Sequence, residues 1–262
     1  MNLILISTIV VGVVGLVLGL ALVTAGKKFY VEVDDRVVKV RECLRGSNCG
    51  ACGYAGCDAL AEALVRGEGS ADACPGNSTE NIAKIAAVLG IESVDQDPQV
   101  AFVRCAGTCN VTKPKANYVG IEDCRAAVLS GLPFMNCAYG CLGLGSCVKA
   151  CPQDAISIVD GIAVVNPRKC IGCGLCAKAC PKGVIGMHDR RAKAFTNCSN
   201  QDRGAAVKKA CAAGCLGCGL CVKQCDQGAI TMENNLAKID VDKCVGCGKC
   251  AEKCPSKCIT IK

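Results

Sequence analysis

Cysteine decides what this chain can fold into. Of 262 residues 27 are cysteine, against four Phe, four Tyr and no Trp. Aromatic residues make up 3% of the chain, so bulky rings cannot build a large core. Small cysteine-dense segments are held together by disulfides or by metal instead. The odd count means that disulfides alone cannot pair every thiol. The one histidine, His188, excludes histidine-rich zinc or haem sites and argues against Ser-His-Asp or Cys-His catalysis. A charged fraction of 20% with positive mean hydropathy excludes disorder.

The spacing of the thiols selects metal. Cys170-x2-Cys173-x2-Cys176-x3-Cys180-Pro181 is the bacterial ferredoxin run, and Cys244-x2-Cys247-x2-Cys250-x3-Cys254-Pro255 repeats it. Cys215-x2-Cys218-x2-Cys221-x3-Cys225 is a third copy, with Asp226 in place of Pro. In two-cluster folds the fourth Cys of one run ligates the other cluster, so runs work in pairs. Residues 141–187 match residues 215–261 at a constant offset of 74, without gaps and with 22 of 47 positions identical. Ala155–Val159 and Ile162–Val165 flank Asp160-Gly161, which reads as a hairpin. Val184–Met187 and Ile259–Ile261 are expected to add closing strands. The offset sets Leu144 against Cys218, so the first repeat lacks one thiol. Cys137 is the expected substitute; the alternative is a 3Fe–4S cluster, which needs one thiolate fewer. The offset also pairs Cys137 with Cys211 and Cys124 with Cys198, as alternative ligands or as structural thiols. Cys43, Cys105, Cys109 and Cys258 have no assigned role.

Upstream, Asn48-Cys49-Gly50-Ala51-Cys52-Gly53-Tyr54-Ala55-Gly56-Cys57 and a distant Cys74 give C-x2-C-x4-C-x16-C. Four thiolates so spaced can hold a 4Fe–4S cluster. Glycines between them let the backbone wrap closely around sulfur. Asp58–Arg66 and Asn81–Leu89 read as helices, the second capped by Asn77 or Ser78 with Glu80 in its first turn. Zinc also accepts four thiolates, but the ferredoxin runs elsewhere favour iron. The expected clusters number about five. Their ligand sets are Cys49, Cys52, Cys57 and Cys74; Cys137, Cys141, Cys147 and Cys180; Cys151, Cys170, Cys173 and Cys176; Cys215, Cys218, Cys221 and Cys254; and Cys225, Cys244, Cys247 and Cys250.

The net charge is formally +7, from 30 Lys plus Arg and 23 Asp plus Glu. That figure counts every cysteine as neutral. A cluster with four thiolates carries roughly −2, so about five would bring the total to roughly −3. The basic excess therefore reads as compensation for buried anions. There is little aromatic interleaving of the kind single-stranded nucleic acid requires, and no nucleic-acid partner is expected.

The first 26 residues carry no charged side chain, and Leu3–Val23 is almost wholly apolar. As a helix this stretch spans about 31 Å, enough for the hydrocarbon layer. Lys27, Lys28, Arg36, Lys39, Arg41 and Arg45 follow it. The positive-inside rule puts them, and all that follows, on the cytoplasmic side of the cell (inner) membrane as a single-pass protein. A cleaved signal peptide fits less well, without a basic n-region or a clean A-x-A site. A reducing cytoplasm also keeps thiols free for metal.

The expected fold class is α+β: a transmembrane anchor over residues 1–26, a small helical 4Fe–4S domain over 27–95, and tandem ferredoxin-like units over 137–187 and 211–262. Residues 96–136 and 188–210 are expected linkers, with 29–40 joining membrane to domain. His188 is expected to be an exposed linker residue. The basic stretch His188–Lys193 reads as a solvated face or a dock for an acidic ferredoxin. No G-x-G-x-x-G or phosphate loop is present, so neither flavin nor nicotinamide is expected on this chain.

A membrane span, then NCGACGYAGC with a distant Cys, then polyferredoxin runs closely resembles the B subunits of Rnf complexes. The resemblance covers nearly the whole chain. It implies an electron-carrying component of an ion-translocating ferredoxin:NAD+ oxidoreductase, which takes electrons from soluble ferredoxin and passes them to other membrane subunits. The second ferredoxin unit is an extension relative to shorter family members. NCGACGYAGC is also similar to the cysteine domain of corrinoid-linked CO dehydrogenase subunits. The alternative readings are a membrane polyferredoxin serving a hydrogenase or CO dehydrogenase, and a thiol-rich zinc-binding storage protein.

Overall fold

The computed structural model describes residues 2–29, 34–92, 99–112 and 114–262. Helix α1 (Asn2–Lys28) contains a stretch, Ile6–Lys28, of mean hydropathy 2.7. By length and composition that stretch can cross a membrane, and the rest of the chain buries none of it.

Three helices follow: α2 (Asp35–Cys43), α3 (Cys57–Val65) and α4 (Thr79–Leu89). The connector expected over residues 29–40 runs into helix α2 from Asp35; residues 30–33 lie outside the described residues. The Asp34 carboxylate accepts from the Arg36 amide and starts that helix. Ser78 caps α4 by accepting from the Asn81 amide, and Gly90 closes it in the left-handed region. Gly56 offers α3 no side-chain cap, so Asn48 reaches across and accepts from the Cys57 amide at 2.8 Å. Apolar residues at helical spacing then close a small core of Val40, Leu60, Leu64, Ile82 and Ile85.

The remainder consists of short elements: β1 (Gln99–Val103), α5 (Cys124–Leu129), α6 (Ser146–Lys149), β2 (Ile156–Val159), β3 (Ile162–Val165), α7 (Leu175–Ala179) and β4 (Ile185–Asp189). Then come β5 (Ala194–Thr196), α8 (Ala205–Ala210), α9 (Leu220–Lys223), β6 (Ile230–Glu233), β7 (Leu236–Ile239), α10 (Lys249–Glu252) and β8 (Ile259–Ile261). Residues 141–187 and 215–261 thus share one order: short helix, hairpin, short helix, strand. The β2–β3 turn places Asp160 and Gly161 at φ 49 and 78, and the β6–β7 turn places Asn234 and Asn235 at φ 49 and 61. Two successive positive φ values suit the twist of a two-residue hairpin.

The closing strands pair outside the repeats. β4 runs antiparallel to β1, and β8 runs antiparallel to β5. The stretches expected as linkers, 96–136 and 188–210, therefore carry β1, α5, β5 and α8. The register relates the two halves residue by residue. Val103 faces Ile185, Thr196 faces Ile259, and those two isoleucines are related by the 74-residue offset. Phe102 then corresponds to Phe195, and their rings stack on each other at 4.5 Å. Cys105 corresponds to Cys198. Cys137 follows Cys105 by 32 positions, whereas Cys211 follows Cys198 by 13, so the first half carries an insertion of 19 residues.

Gly172 and Gly174 lie between ligand cysteines at φ 73 and 74. A side chain in this region costs about 1–2 kcal/mol. A Cβ on Gly174 would meet nothing, but one on Gly172 would lie 2.5 Å from the Gln99 carbonyl oxygen of β1. Gly174→Ala is expected to lower the melting temperature slightly, and Gly172→Ala to lower it further and loosen β1. Equal melting temperatures for the two variants would refute that packing argument.

Candidate iron–sulfur sites

The cysteines gather around separate small cavities. Cys49, Cys52, Cys57 and Cys74 line one of about 390 Å³, together with Arg45. Arg45 donates from Nε to the Gly76 carbonyl at 2.6 Å, which holds a cation beside this set. Cys215, Cys218, Cys221 and Cys254 line another, of about 330 Å³. Cys258, to which the sequence assigns no role, lies here too, its Sγ 3.6 Å from that of Cys254. A hydrogen bond from Cys258 lowers the Cys215 thiol pKa. Cys176 is influenced electrostatically by Cys170, Cys173 and Cys151, which groups that set. Cys250 is influenced likewise by Cys244 and Cys247. Cys225 packs against the same core as Cys250, and its sulfur accepts from the Ala229 amide at 3.4 Å. The exposed carboxylate of Asp226, where the other runs have Pro, pairs with Lys249.

The first repeat departs from expectation. Its cavity, about 340 Å³, is lined by Cys141, Cys147, Cys180 and Cys124. Cys137, the substitute expected for Leu144, lines a neighbouring cavity, and Cys124, from the longer segment between Cys105 and Cys137, lines this one. Asp123 caps α5 by accepting from the amides of Arg125 and Ala126. Ser146, at the start of α6, accepts from the Cys124 amide at 2.7 Å and donates to the Asp123 carboxylate at 2.8 Å. That network ties Cys124 to the segment that carries Cys147. A linear offset pairs Cys124 with Cys198 and cannot see this.

Burial dominates the electrostatics of these thiols. Together with neighbouring cysteines it pushes Cys147 up to about 12 and Cys176 and Cys221 to about 11. These three thiols need a strongly cationic partner to bind as thiolates. Among the described residues no three or more His, Cys, Asp or Glu side chains come close enough to hold one metal ion. Four thiolates on a single zinc, at about 2.3 Å from it, would converge more tightly. At least four sulfurs line each of three cavities, a donor set that a four-iron core takes.

The sets also adjoin one another. Cys173 and Ile171 line the cavity of the first set, and Cys49 acts electrostatically on Cys173. Gln153 donates to Ser47 at 3.3 Å across the same junction. His188 is not an exposed linker residue: it lies half-buried on β4, edge-on to both Phe102 and Phe195, and burial lowers its pKa. Part of the neighbouring basic stretch is engaged internally. Arg190 donates to the Cys170 carbonyl at 2.5 Å, and Arg191 pairs with Asp189 at 2.6 Å.

Residues 44–75 match the family described as "Putative Fe-S cluster". Residues 135–184 and 214–258 match a family described as 4Fe-4S dicluster domain, and a second family of that description matches 169–230. The chain is 44% identical over 261 residues to the B subunit of the Na(+)-translocating ferredoxin:NAD(+) oxidoreductase complex of Acetobacterium woodii, covering 99% of this chain and 78% of the relative. It is 42% identical to the proton-translocating counterpart of Clostridium ljungdahlii, covering 92% of this chain and 85% of the relative. To the B subunit of the ion-translocating oxidoreductase complex of Methanosarcina acetivorans it is 39% identical, with 90% of each covered. At that identity and coverage, and with ferredoxin-type cysteine sets in place, the chain belongs to the B-subunit family of Rnf-type ion-translocating ferredoxin:NAD(+) oxidoreductase complexes.

Proposed function

We propose that this chain is the electron-conducting subunit of such a complex, taking single electrons from soluble ferredoxin and delivering them to membrane partners. The observation that carries the reading is adjacency: Cys173 of the first ferredoxin half lines the cavity of Cys49, Cys52, Cys57 and Cys74 in the helical domain. A cluster bound at each set supplies a one-electron store whose potential follows burial, local charge and hydrogen bonds to sulfur. The assigned ligands are the five sets of the sequence reading, with Cys124 in place of Cys137. The chain's own work is to hold these sulfurs and place Arg45 and Arg190 near the anionic sites. Helix α1 serves as a single-pass anchor, and Lys27 and Lys28 at its end favour the cytoplasmic side for the cysteine domains. The names of the relatives favour a ferredoxin:NAD(+) client over a hydrogenase or CO dehydrogenase.

The test uses the full chain in detergent, anaerobically loaded with iron and sulfide, and mixed in a stopped-flow cell with reduced bacterial-type ferredoxin. The broad visible absorption is expected to fall as ferredoxin reoxidises. A spectrum that stays oxidised removes ferredoxin as donor; a colourless, zinc-loaded protein removes the whole reading.

A further inference from the structure

The segment between Cys105 and Cys137 is 19 residues longer than its counterpart between Cys198 and Cys211. It folds back on itself. Pro114 bridges Met135, the Lys115 amide donates to the Phe134 carbonyl at 2.7 Å, and the Tyr118 and Phe134 rings lie 5.0 Å apart. This loop, with α5 and Lys209 of α8, lines a groove of about 1140 Å³, far larger than the cavities of the cysteine sets. We propose that the groove is the docking surface for soluble ferredoxin, an acidic carrier that seats an apolar loop ringed by carboxylates. The inference rests on the proposed function and gives the place at which its donor binds.

The surface is apolar and basic. Val119, Ile121, Leu129 and Leu132 are each at least 68% exposed, and Leu132 lines the groove. Single exposed apolar residues need no explanation, but four within residues 119–132 mark a contact with another molecule. Lys115, Lys182 and Lys209 also line the groove, and no Asp or Glu does. Lys84, Lys238, Lys243 and Lys249 are paired with carboxylates. The three groove lysines form no ion pair among the described residues. Unpaired cations around an apolar floor are complementary to an acidic partner.

Position selects an electron carrier as that partner. Leu142 and Lys182 line both the groove and the cavity of Cys124, Cys141, Cys147 and Cys180. Helix α5, whose Val128 lines the groove, begins at Cys124 itself. One shared wall thus separates a docked partner from a cysteine set, which an electron carrier needs and a lipid headgroup does not. A concave site also takes up a protruding loop, whereas a bilayer presents a flat surface. The basic stretch His188–Lys193 is the poorer dock, because Arg190 and Arg191 are turned to the Cys170 carbonyl and to Asp189. In the transfer the carrier loses one electron and the chain gains it; no bond forms or breaks and no proton moves.

The test mixes the full chain in detergent, loaded anaerobically with iron and sulfide, with reduced bacterial-type ferredoxin in a stopped-flow cell over a range of NaCl concentrations. The second-order rate constant of the native chain is expected to fall with salt. Lys115→Glu with Lys209→Glu is expected to lower it at least about tenfold at low ionic strength and to flatten its salt dependence. Leu132→Asn is expected to lower it without changing the salt dependence. Lys39→Glu with Lys238→Glu makes the same change of net charge at exposed positions outside the groove, and is expected to stay within about twofold of native. Iron content and visible spectrum are expected to match the native chain throughout. Carbodiimide coupling of the native chain to ferredoxin needs no variant; mass spectrometry is expected to find Lys115, Lys182 or Lys209 joined to a ferredoxin carboxylate.

Native rates in both groove variants, or cross-links confined to other lysines, overturn the docking surface and leave ferredoxin as donor; the groove then belongs to a membrane subunit or to the bilayer surface. Equal losses in the groove pair and the control pair show an effect of net charge alone and overturn it as well. A native chain that reduced ferredoxin does not reduce overturns the donor reading, and this surface with it. The cross-links decide even where a variant fails to load.

Discussion

Cys124→Ser is expected to convert one four-iron centre of the first ferredoxin half into a three-iron centre. Cys141, Cys147 and Cys180 remain around that cavity when the Cys124 sulfur is gone, and three thiolates suffice for 3Fe–4S. The oxidised protein should then show a new three-iron EPR signal and lose about one iron atom per chain. The decisive arm is rescue. Leu144 occupies the position at which the other half has Cys218, and Cys218 lines its own cavity. Leu144→Cys added to Cys124→Ser should restore the four-iron centre, because the plain ferredoxin run is then complete. The same addition should do nothing for Cys137→Ser. Rescue of Cys137→Ser by Leu144→Cys, with Cys124→Ser silent, would return the ligand role to Cys137.

The place of Cys124 shows where a sequence stops being readable. The 74-residue repeat, the hairpin at Asp160-Gly161, and the helical pattern of Leu60, Leu64, Ile82 and Ile85 are signals in the sequence, and the structure follows them. Short spacing likewise groups Cys49, Cys52, Cys57 and Cys74, and Cys215, Cys218, Cys221 and Cys254, and each group lines one cavity. What escapes is set by distance along the chain. A gapless offset carries no information about the 19-residue insertion before Cys137, so it pairs Cys124 with Cys198 when the strand register pairs Cys105 with Cys198. The pairing of β4 with β1 and of β8 with β5 is equally invisible, since each strand is three to five residues long and its partner lies 63 or more positions away. The cavity lined by Cys105, Cys137, Cys198 and Cys211 likewise gathers thiols from both halves.

Removal of iron is expected to unfold the chain unevenly, with the second ferredoxin half lost first. Five of the eight buried residues in its core are cysteines: Cys198, Cys215, Cys221, Cys250 and Cys258. Its aliphatic share is Ile230, Ala237 and Ile259, too little to hold strands of three and four residues. In the helical domain the balance is reversed, because Cys57 is the only cysteine among ten buried core residues. For metal-dependent folds the binding free energy is folding free energy, of order 10 kcal/mol per site. After chelation under reducing conditions, amide hydrogen exchange followed by mass spectrometry should therefore report protection falling by at least about a hundredfold across residues 215–261. Residues 35–43, 57–65 and 79–89 should retain most of theirs, since Val40, Leu60 and Ile85 keep their apolar contacts without metal. Uniform loss in both regions would mean that the helices, too, depend on the thiolate cage at Cys49, Cys52, Cys57 and Cys74. Uniform retention would mean that hydrophobic packing alone suffices, and the cysteine-rich cores would then need another explanation.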